Sequence, residues 1–302
     1  MPPVLPVDLA PRIATAPISW GVCEVPGWGH QLSVDRVLGE MSDLGFTLTE
    51  LGSAGWLPSE ATPLQATLDA NDLSLLGAFI PLVLHDADQA EKAAAQAADA
   101  AALLSAVGAP YFVTAPVTSD DWEPRRPLSD AEWAQLYLGI EEIEKLCTEQ
   151  GLIQVVHEHV GCVIETRDEV ERLLDNTSAR IVLDTGHLAL GGYDPLEAAE
   201  TRRDRVGLVH LKDLRLDVAE RLNSAELTLM EAVQAGLFPS LGQGDLPIAE
   251  VVRVLEETGY DGHYVIEQDC AITGAEPAPG EGPATDVAQS VDYLRTAVGA
   301  LF

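Results

Sequence analysis

Basic residues are scarce in this chain. Its 302 residues hold 17 Lys and Arg against 49 Asp and Glu, a formal charge of −32. Phosphate backbones and anionic lipid surfaces repel such a chain, and no basic stripe offsets the deficit, so neither nucleic acid nor membrane is an expected partner. The acidity itself reads as a solubility device or the mark of a salty habitat. Cysteine is nearly as sparse. Cys23, Cys147, Cys162 and Cys270 stand far apart without a C-x-x-C pair, which excludes a zinc knuckle and a disulfide framework and leaves reduced thiols. Long apolar runs are missing too: a stretch such as Leu75 to Leu84 is too short to cross a bilayer. The opening residues Met1 to Ala10 carry Asp8 and three prolines but no basic start and no apolar core of a secretory signal. A cytoplasmic location is the resulting expectation.

What the chain does have is 47% hydrophobic residues, enough for a large core in one barrel or two smaller domains. Short β-rich apolar segments alternate with longer helical ones, the rhythm of parallel strands joined by crossover helices. Eight such segments are present: Ile13 to Trp20, Phe46 to Leu51, Leu73 to Ile80, Tyr111 to Pro116, Ile153 to Glu158, Arg180 to Asp184, Val206 to Leu211 and Tyr264 to Glu267. Eight strands in this order predict an α/β fold, a single (β/α)8 TIM barrel over residues 1–302.

The helices between them have their own signatures. Ala90 to Ser105 is alanine-rich, with Leu103, Leu104 and Val107 closing an apolar face before Gly108. Ser129 precedes Glu132 by three residues, a capping-box spacing that starts a helix ending at Gly151. Pro247 suits the first turn of a helix that Gly259 terminates. Two regions break the rhythm, Arg215 to Asp245 and the Pro/Gly-rich Thr273 to Ala284. Both read as loops on the strand-end side, either lids over a site or surface insertions.

Four strand ends carry ligand-type side chains: Glu158, Asp184, His210 and Glu267. The gaps between them are 26, 26 and 57 residues, against about 30 for one β/α unit, and the long gap contains the Arg215 to Asp245 insertion. Ionisable groups directly after apolar strands are expensive to bury singly, whereas three carboxylates and an imidazole around one cation compensate one another. The expected cofactor is therefore one divalent metal. Carboxylate-rich mixed ligation suits manganese or cobalt, with magnesium or zinc also compatible.

Other residues surround this set. His187, three positions after Asp184, is a candidate for substrate contact or proton transfer, or else a helix cap. Lys212 shares the direction of His210 and can donate a proton or hold an oxyanion; a salt bridge to Asp213 or Asp245 is the other reading. Strand alternation keeps His157 and His159 from facing inward together with Glu158, and only a bend brings His159 to the pocket. Trp20 and Trp28 can stack on the apolar face of a ring, with Glu24 between them, or simply pack the loop. Glu50 is a candidate acceptor for substrate hydroxyls, or an ordinary buried acid.

Glu158, Asp184-Thr-Gly-His187, His210-Leu-Lys-Asp213 and Glu267 resemble the xylose isomerase-like barrels of sugar isomerases and epimerases. Ala16-Pro-Ile-Ser-Trp20, Glu50-Leu-Gly, His159-Val-Gly161, Ile164-Glu-Thr166 and Glu267-Gln-Asp269 are similar to the inosose dehydratase branch. That resemblance implies metal-dependent removal of water from 2-keto-myo-inositol, giving a trihydroxycyclohexane-dione. Glu158 departs from the branch, where His or Pro is common at this position, and matches the wider group. Both chemistries begin by taking the proton beside a ketone to form an enediolate, with Glu158 and Glu267 as candidate bases. A dehydratase must then protonate a departing hydroxyl, for which Lys212 or His187 serves, whereas an isomerase or epimerase returns the proton to carbon. The expected partner is a small polyhydroxylated ketone, and a homo-oligomer is compatible with the sequence. A non-catalytic sugar-binding barrel is the remaining alternative.

Overall fold

The computed structural model describes residues 7–23 and 25–301. Residues 1–6, where most of the leader reading lies, and Glu24 fall outside the described residues. Eight parallel strands close into a barrel in chain order: β1 Ile13–Thr15, β2 Leu48–Glu50, β3 Ser74–Leu82, β4 Tyr111–Pro116, β5 Ile153–Val156, β6 Ile181–Asp184, β7 Val206–Leu211 and β8 Tyr264–Ile266. Ile13 pairs with Tyr264, which closes the ring. A two-residue pair, Val7–Asp8 with Ala300–Leu301, brings the two ends of the chain together.

Most strand residues are buried on both faces of the barrel wall, which is why the strands read as nearly continuous apolar runs. Alternation sorts the side chains. Ala14, Leu76, Val113, Val155, Val182, Leu208 and Val265 fill the barrel interior, while Phe112, Val156, Ile181, Leu183, Val209, Tyr264 and Ile266 join the outer core against the helices. Among the helices, Ala90–Ala106 buries Ala93, Ala97, Ala101 and Leu104 on one stripe. Asp130–Gln150 starts with the Ser129/Glu132 capping box and ends on left-handed Gly151. Helix Ile248–Glu257 follows Pro247 at its N-cap.

The first strand is shorter than its apolar run because Pro17 opens a 3-10 turn, Pro17–Trp20. The segment Arg215 to Asp245 is not wholly a loop. It contains helices Leu216–Asn223 and Leu229–Gln234, the second with a Thr228/Glu231 capping box. These helices bury Val218, Ala219, Ala232 and Val233 in a separate apolar cluster with Trp28, Leu214 and Phe238. Asp213 anchors the far end: its carboxylate accepts the backbone N–H groups of Leu214, Gly242, Gly244 and Leu246 at 2.8–3.1 Å. The irregular stretch after β8 is clamped by Arg36, which reaches Glu276 and the carbonyls of Pro277 and Ala278.

Candidate metal centre and proton-transfer site

The strand ends converge on a buried, highly charged centre. Because Val182, Leu208 and Val265 face inward, alternation carries Asp184, His210, Lys212, Glu267 and Asp269 inward as well. Asp184 is fully buried and caps the helix Thr185–Leu190, its Oδ1 accepting the His187 backbone N–H at 2.8 Å. His210 Nδ1 lies 2.8 Å from Glu267 Oε2 and 3.7 Å from Asp184 Oδ2, and its Nε2 lies 3.3 Å from Glu50 Oε1. Two sets of donor atoms lie within 4.8 Å of one another: His157, Asp184 and His210, and Glu50, His210 and Glu267.

Within these sets, Asp184 Oδ2 and His210 Nδ1 are buried and make no hydrogen bond to the described residues. The 2.8 Å approach of His210 Nδ1 to Glu267 is thus close contact without hydrogen-bond alignment. His157 contacts the Glu158 carbonyl through Nδ1. With the proton on that nitrogen, the lone pair of Nε2 is left 3.9 Å from Asp184 Oδ2. Unsatisfied oxygen and nitrogen lone pairs packed together in a buried site fit a divalent cation, which supplies the charge they lack.

Glu158 is placed elsewhere. It follows Val156, which faces the outer core, so it has outward parity, and its Oε1 accepts the backbone N–H of Asp184 at 3.1 Å. Its carboxyl belongs to neither donor set. Burial and the nearby Asp184 push its pKa well above the usual carboxylate range, which favours the uncharged acid. His157 holds the inward position, sharing parity with Val155. Burial and His210 depress its ring to about 3, so it is neutral. His159 shares that parity; the chain leaves the strand after Val156, and its ring lies 3.9 Å from that of His187.

Lys212 is the second focus. It is fully buried, donates to Asp269 Oδ1 at 2.7 Å, lies 2.7 Å from Glu267 Oε1 and 3.6 Å from Asp184 Oδ2. It makes no pair with Asp213 or Asp245. Burial works against its charge, but Asp184, Asp269 and Glu267 raise its pKa well above the ordinary value. Burial is likewise outweighed at Glu267, which Lys212 and His210 hold well below the carboxylate range. Lys212 also approaches His187 Nε2 at 3.0 Å. An ammonium can only donate, so His187 carries its proton on Nδ1, a buried nitrogen with no hydrogen-bond partner among the described residues. Burial and the adjacent His159 and Lys212 keep that ring neutral.

The Thr-Gly between Asp184 and His187 serves this arrangement. Thr185 Oγ1 accepts the Lys212 N–H at 2.9 Å and donates to its carbonyl at 2.7 Å. A Cβ on Gly186 would stand 2.9 Å from Lys212 Cγ, so only glycine lets the lysine stem pass. Phe238 from the insertion lies over the ammonium at 5.0 Å and edges His187 at 5.9 Å.

Trp20 is turned away from the centre. Its indole is wholly buried in the outer core and donates to Glu40 Oε2 at 2.8 Å, because the 3-10 turn rotates it off the strand's inward direction. Trp28 is buried under the insertion and donates to the Cys270 carbonyl at 2.7 Å; it too packs a loop. Glu50 sits in the centre, against His210. Asp269 and Phe238 carried no role in the sequence reading. Asp269 was within reach of the parity rule, two residues beyond Glu267, whereas Phe238 had no signal, since an insertion has no strand register.

The chain belongs to the xylose isomerase-like TIM barrel family, whose model matches residues 38–297. Within it, the chain is 35% identical over 276 residues to the inosose dehydratase of Geobacillus kaustophilus, an alignment covering 86% of this chain and 89% of that protein. It is 29% identical over 276 residues to the inosose dehydratase of Clostridium perfringens, covering 86% and 91%. Among solved structures, the IOLI protein with a binding zinc atom superposes with a TM-score of 0.70, covering 95% of this chain and 98% of that one. At 12% identity, that likeness is one of fold. Among the described residues no helix is long and apolar enough to cross a membrane.

Proposed function

We propose that this chain is a divalent-metal-dependent hydro-lyase that dehydrates 2-keto-myo-inositol or a closely related cyclic polyol ketone. The carrying observation is the buried Lys212, which bridges Glu267, Asp269 and His187 beside a cluster of unsatisfied metal-type donors. The inosose dehydratase relatives supply the substrate class. His157, Asp184, His210 and Glu267 are the residues that would hold the cation, with Glu50 beside His210. Manganese or cobalt suits this mixed nitrogen and oxygen set. When bound, such an ion acts as a Lewis acid on the ketone oxygen, making the neighbouring C–H more acidic.

The chain's own groups account for the proton movements. Glu267 is held ionised by Lys212 and His210, so it is available to accept the proton from carbon. Elimination then requires a proton on the departing hydroxyl, so that it leaves as water. His187 presents Nδ1–H for that purpose, and Lys212 at Nε2 can restore the proton. His159, with its ring beside that of His187, is placed to contact substrate hydroxyls. A cytoplasmic setting and a small polyhydroxylated ketone as partner belong to this proposal.

The test is turnover by purified protein loaded with manganese or cobalt. With 2-keto-myo-inositol, release of a dione should appear as new ultraviolet absorbance. Solvent deuterium entering recovered substrate without dione would instead assign isomerase or epimerase chemistry, and no exchange or turnover on a panel of inososes and ketohexoses would favour a binding protein.

A further inference from the structure

The stretches His159-Val-Gly161 and Ile164-Glu-Thr166 meet on one loop, the one that follows β5. The His159 N–H donates to the Ile164 carbonyl at 3.0 Å, and the Cys162 N–H closes a four-residue turn on the His159 carbonyl at 3.0 Å. Gly161 holds the third place of that turn at φ +83°, the left-handed geometry of a type II turn. A Cβ there would meet nothing within 4 Å, so backbone conformation and not crowding asks for glycine.

The middle of the turn is the peptide joining Val160 to Gly161, and both of its polar groups are engaged. Its N–H donates to Glu165 Oε2 at 2.6 Å. Its carbonyl, on the opposite edge of the same planar unit, accepts from His159 Nδ1 at 2.8 Å. Glu165 is itself held by Arg125, on the loop after β4. The guanidinium Nε lies 3.3 Å from Glu165 Oε2 and donates to the Cys162 carbonyl, while Nη2 donates to both oxygens of Glu169 at 2.6 Å. The Glu165 carbonyl is pressed against Gly191, with no room for a Cβ there, at the end of the short helix that carries His187.

A carbonyl only accepts, so His159 Nδ1 carries the ring proton. Burial and Lys212 disfavour a second one, which leaves a lone pair on Nε2. Unlike Nδ1 of His187, Nε2 of this half-buried ring is not sealed from solvent, and no described residue bonds it. Type I and type II turns differ by a flip of the middle peptide, and glycine permits both. A flip would set the Gly161 N–H against Nδ1 and move the ring proton to Nε2. The charge-assisted bond to Glu165 opposes it.

We propose that Glu165, steadied by Arg125, is a positioning residue that fixes the tautomer of His159, so that Nε2 meets a substrate hydroxyl as a hydrogen-bond acceptor. The contact with substrate rests on the dehydration proposed above; the tautomer does not.

Histidine-selective nitrogen-15 labelling reads the tautomer by NMR in the full chain, loaded with diamagnetic zinc, and the His159 signals are those lost in His159→Gln. In the parent they should show the proton on Nδ1. Glu165→Ala should move it to Nε2 or average the two nitrogens. Glu165→Gln, whose amide oxygen can still accept the Gly161 N–H, should keep the parent pattern and guards against a fold defect. In turnover of 2-keto-myo-inositol, Glu165→Ala should raise KM about three- to tenfold with little change in kcat, the worth of one hydrogen bond. It should add nothing to the effect of His159→Ala in the double variant. A parent pattern retained in Glu165→Ala, or effects of the two substitutions that add, overturns the inference. A parent that turns over no inosose would refute the dehydration and leave the nitrogen signals to decide the role of Glu165.

Discussion

Replacing Lys212 by methionine tests the charge balance of the centre directly. The substitution keeps the apolar stem that passes Gly186 and removes only the ammonium, leaving Glu267, Asp269 and Asp184 without the cation that stands 2.7, 2.7 and 3.6 Å away. Breaking a fully buried ion pair from one side costs about 3–5 kcal/mol. At roughly 2–4 °C per kcal/mol for domains of 150–250 residues, that corresponds to a fall in Tm of about 6–20 °C. The pH dependence gives a sharper check. Glu267 and Asp184 have folded pKa values held below their ordinary ones, so the stability they contribute is present above about pH 4 and is lost as pH falls through their folded values. Without Lys212 their values rise, and acid protonates carboxylates that would otherwise repel one another. The deficit of Lys212→Met relative to the parent should therefore be largest near pH 8 and shrink toward pH 5 in metal-free protein, followed by calorimetry. Activity should fall by about 10²–10⁴-fold. A metal-free variant melting within 1 °C of the parent at pH 8, or a deficit that grows on acidification, would refute the reasoning.

The metal set separates two adjacent residues: His157→Ala should weaken manganese or cobalt binding by at least about tenfold, whereas Glu158→Gln should bind nearly as well as the parent, both read by metal titration. Cys147 and Cys162 are buried, and desolvation pushes both thiols up to about 12. They should resist a thiol reagent at pH 8 until denaturant is added, as counted by mass spectrometry. Gly244→Ala would place a Cβ 2.3 Å from Asp213 Oδ1 and 2.7 Å from the Leu214 carbonyl. It should destabilise the chain by about 1–3 kcal/mol in denaturant titration, with faster amide exchange in the 240–246 segment.

The fold was legible because strands buried on both faces leave apolar runs that no amphipathic helix imitates; β4 and β7 match their expected bounds, Tyr111–Pro116 and Val206–Leu211, residue for residue. The convergence of strand-end side chains was legible where parity could be anchored. Asp184, His210 and Glu267 each stand two residues beyond an interior valine or leucine, and the same count from Val155 selects His157 over Glu158. Nothing in the one-dimensional string says which of Val155 and Val156 faces the barrel axis, so the more ligand-like carboxylate drew the assignment. Trp20 turns away from the centre because Pro17 ends the strand early, and beyond it alternation no longer applies. The two helices of the insertion had a readable start in Thr228 and Glu231, but their packing partner, Trp28, lies about two hundred residues away in sequence, where no local pattern could point to it.

Asp213 links two requirements that evolution would otherwise tune separately. One residue along from Lys212, it gathers four amide protons from its own strand end and from the 242–246 turn, and so fixes where the insertion rejoins the barrel. Phe238 rides on that insertion above the lysine. A graft that exchanged residues 215–245 for those of another barrel would thus reset the roof over Lys212 and the seating of its ammonium in one stroke. Only segments able to offer the Asp213 carboxylate the same amides, with glycine at 244, could be transplanted without tilting that roof.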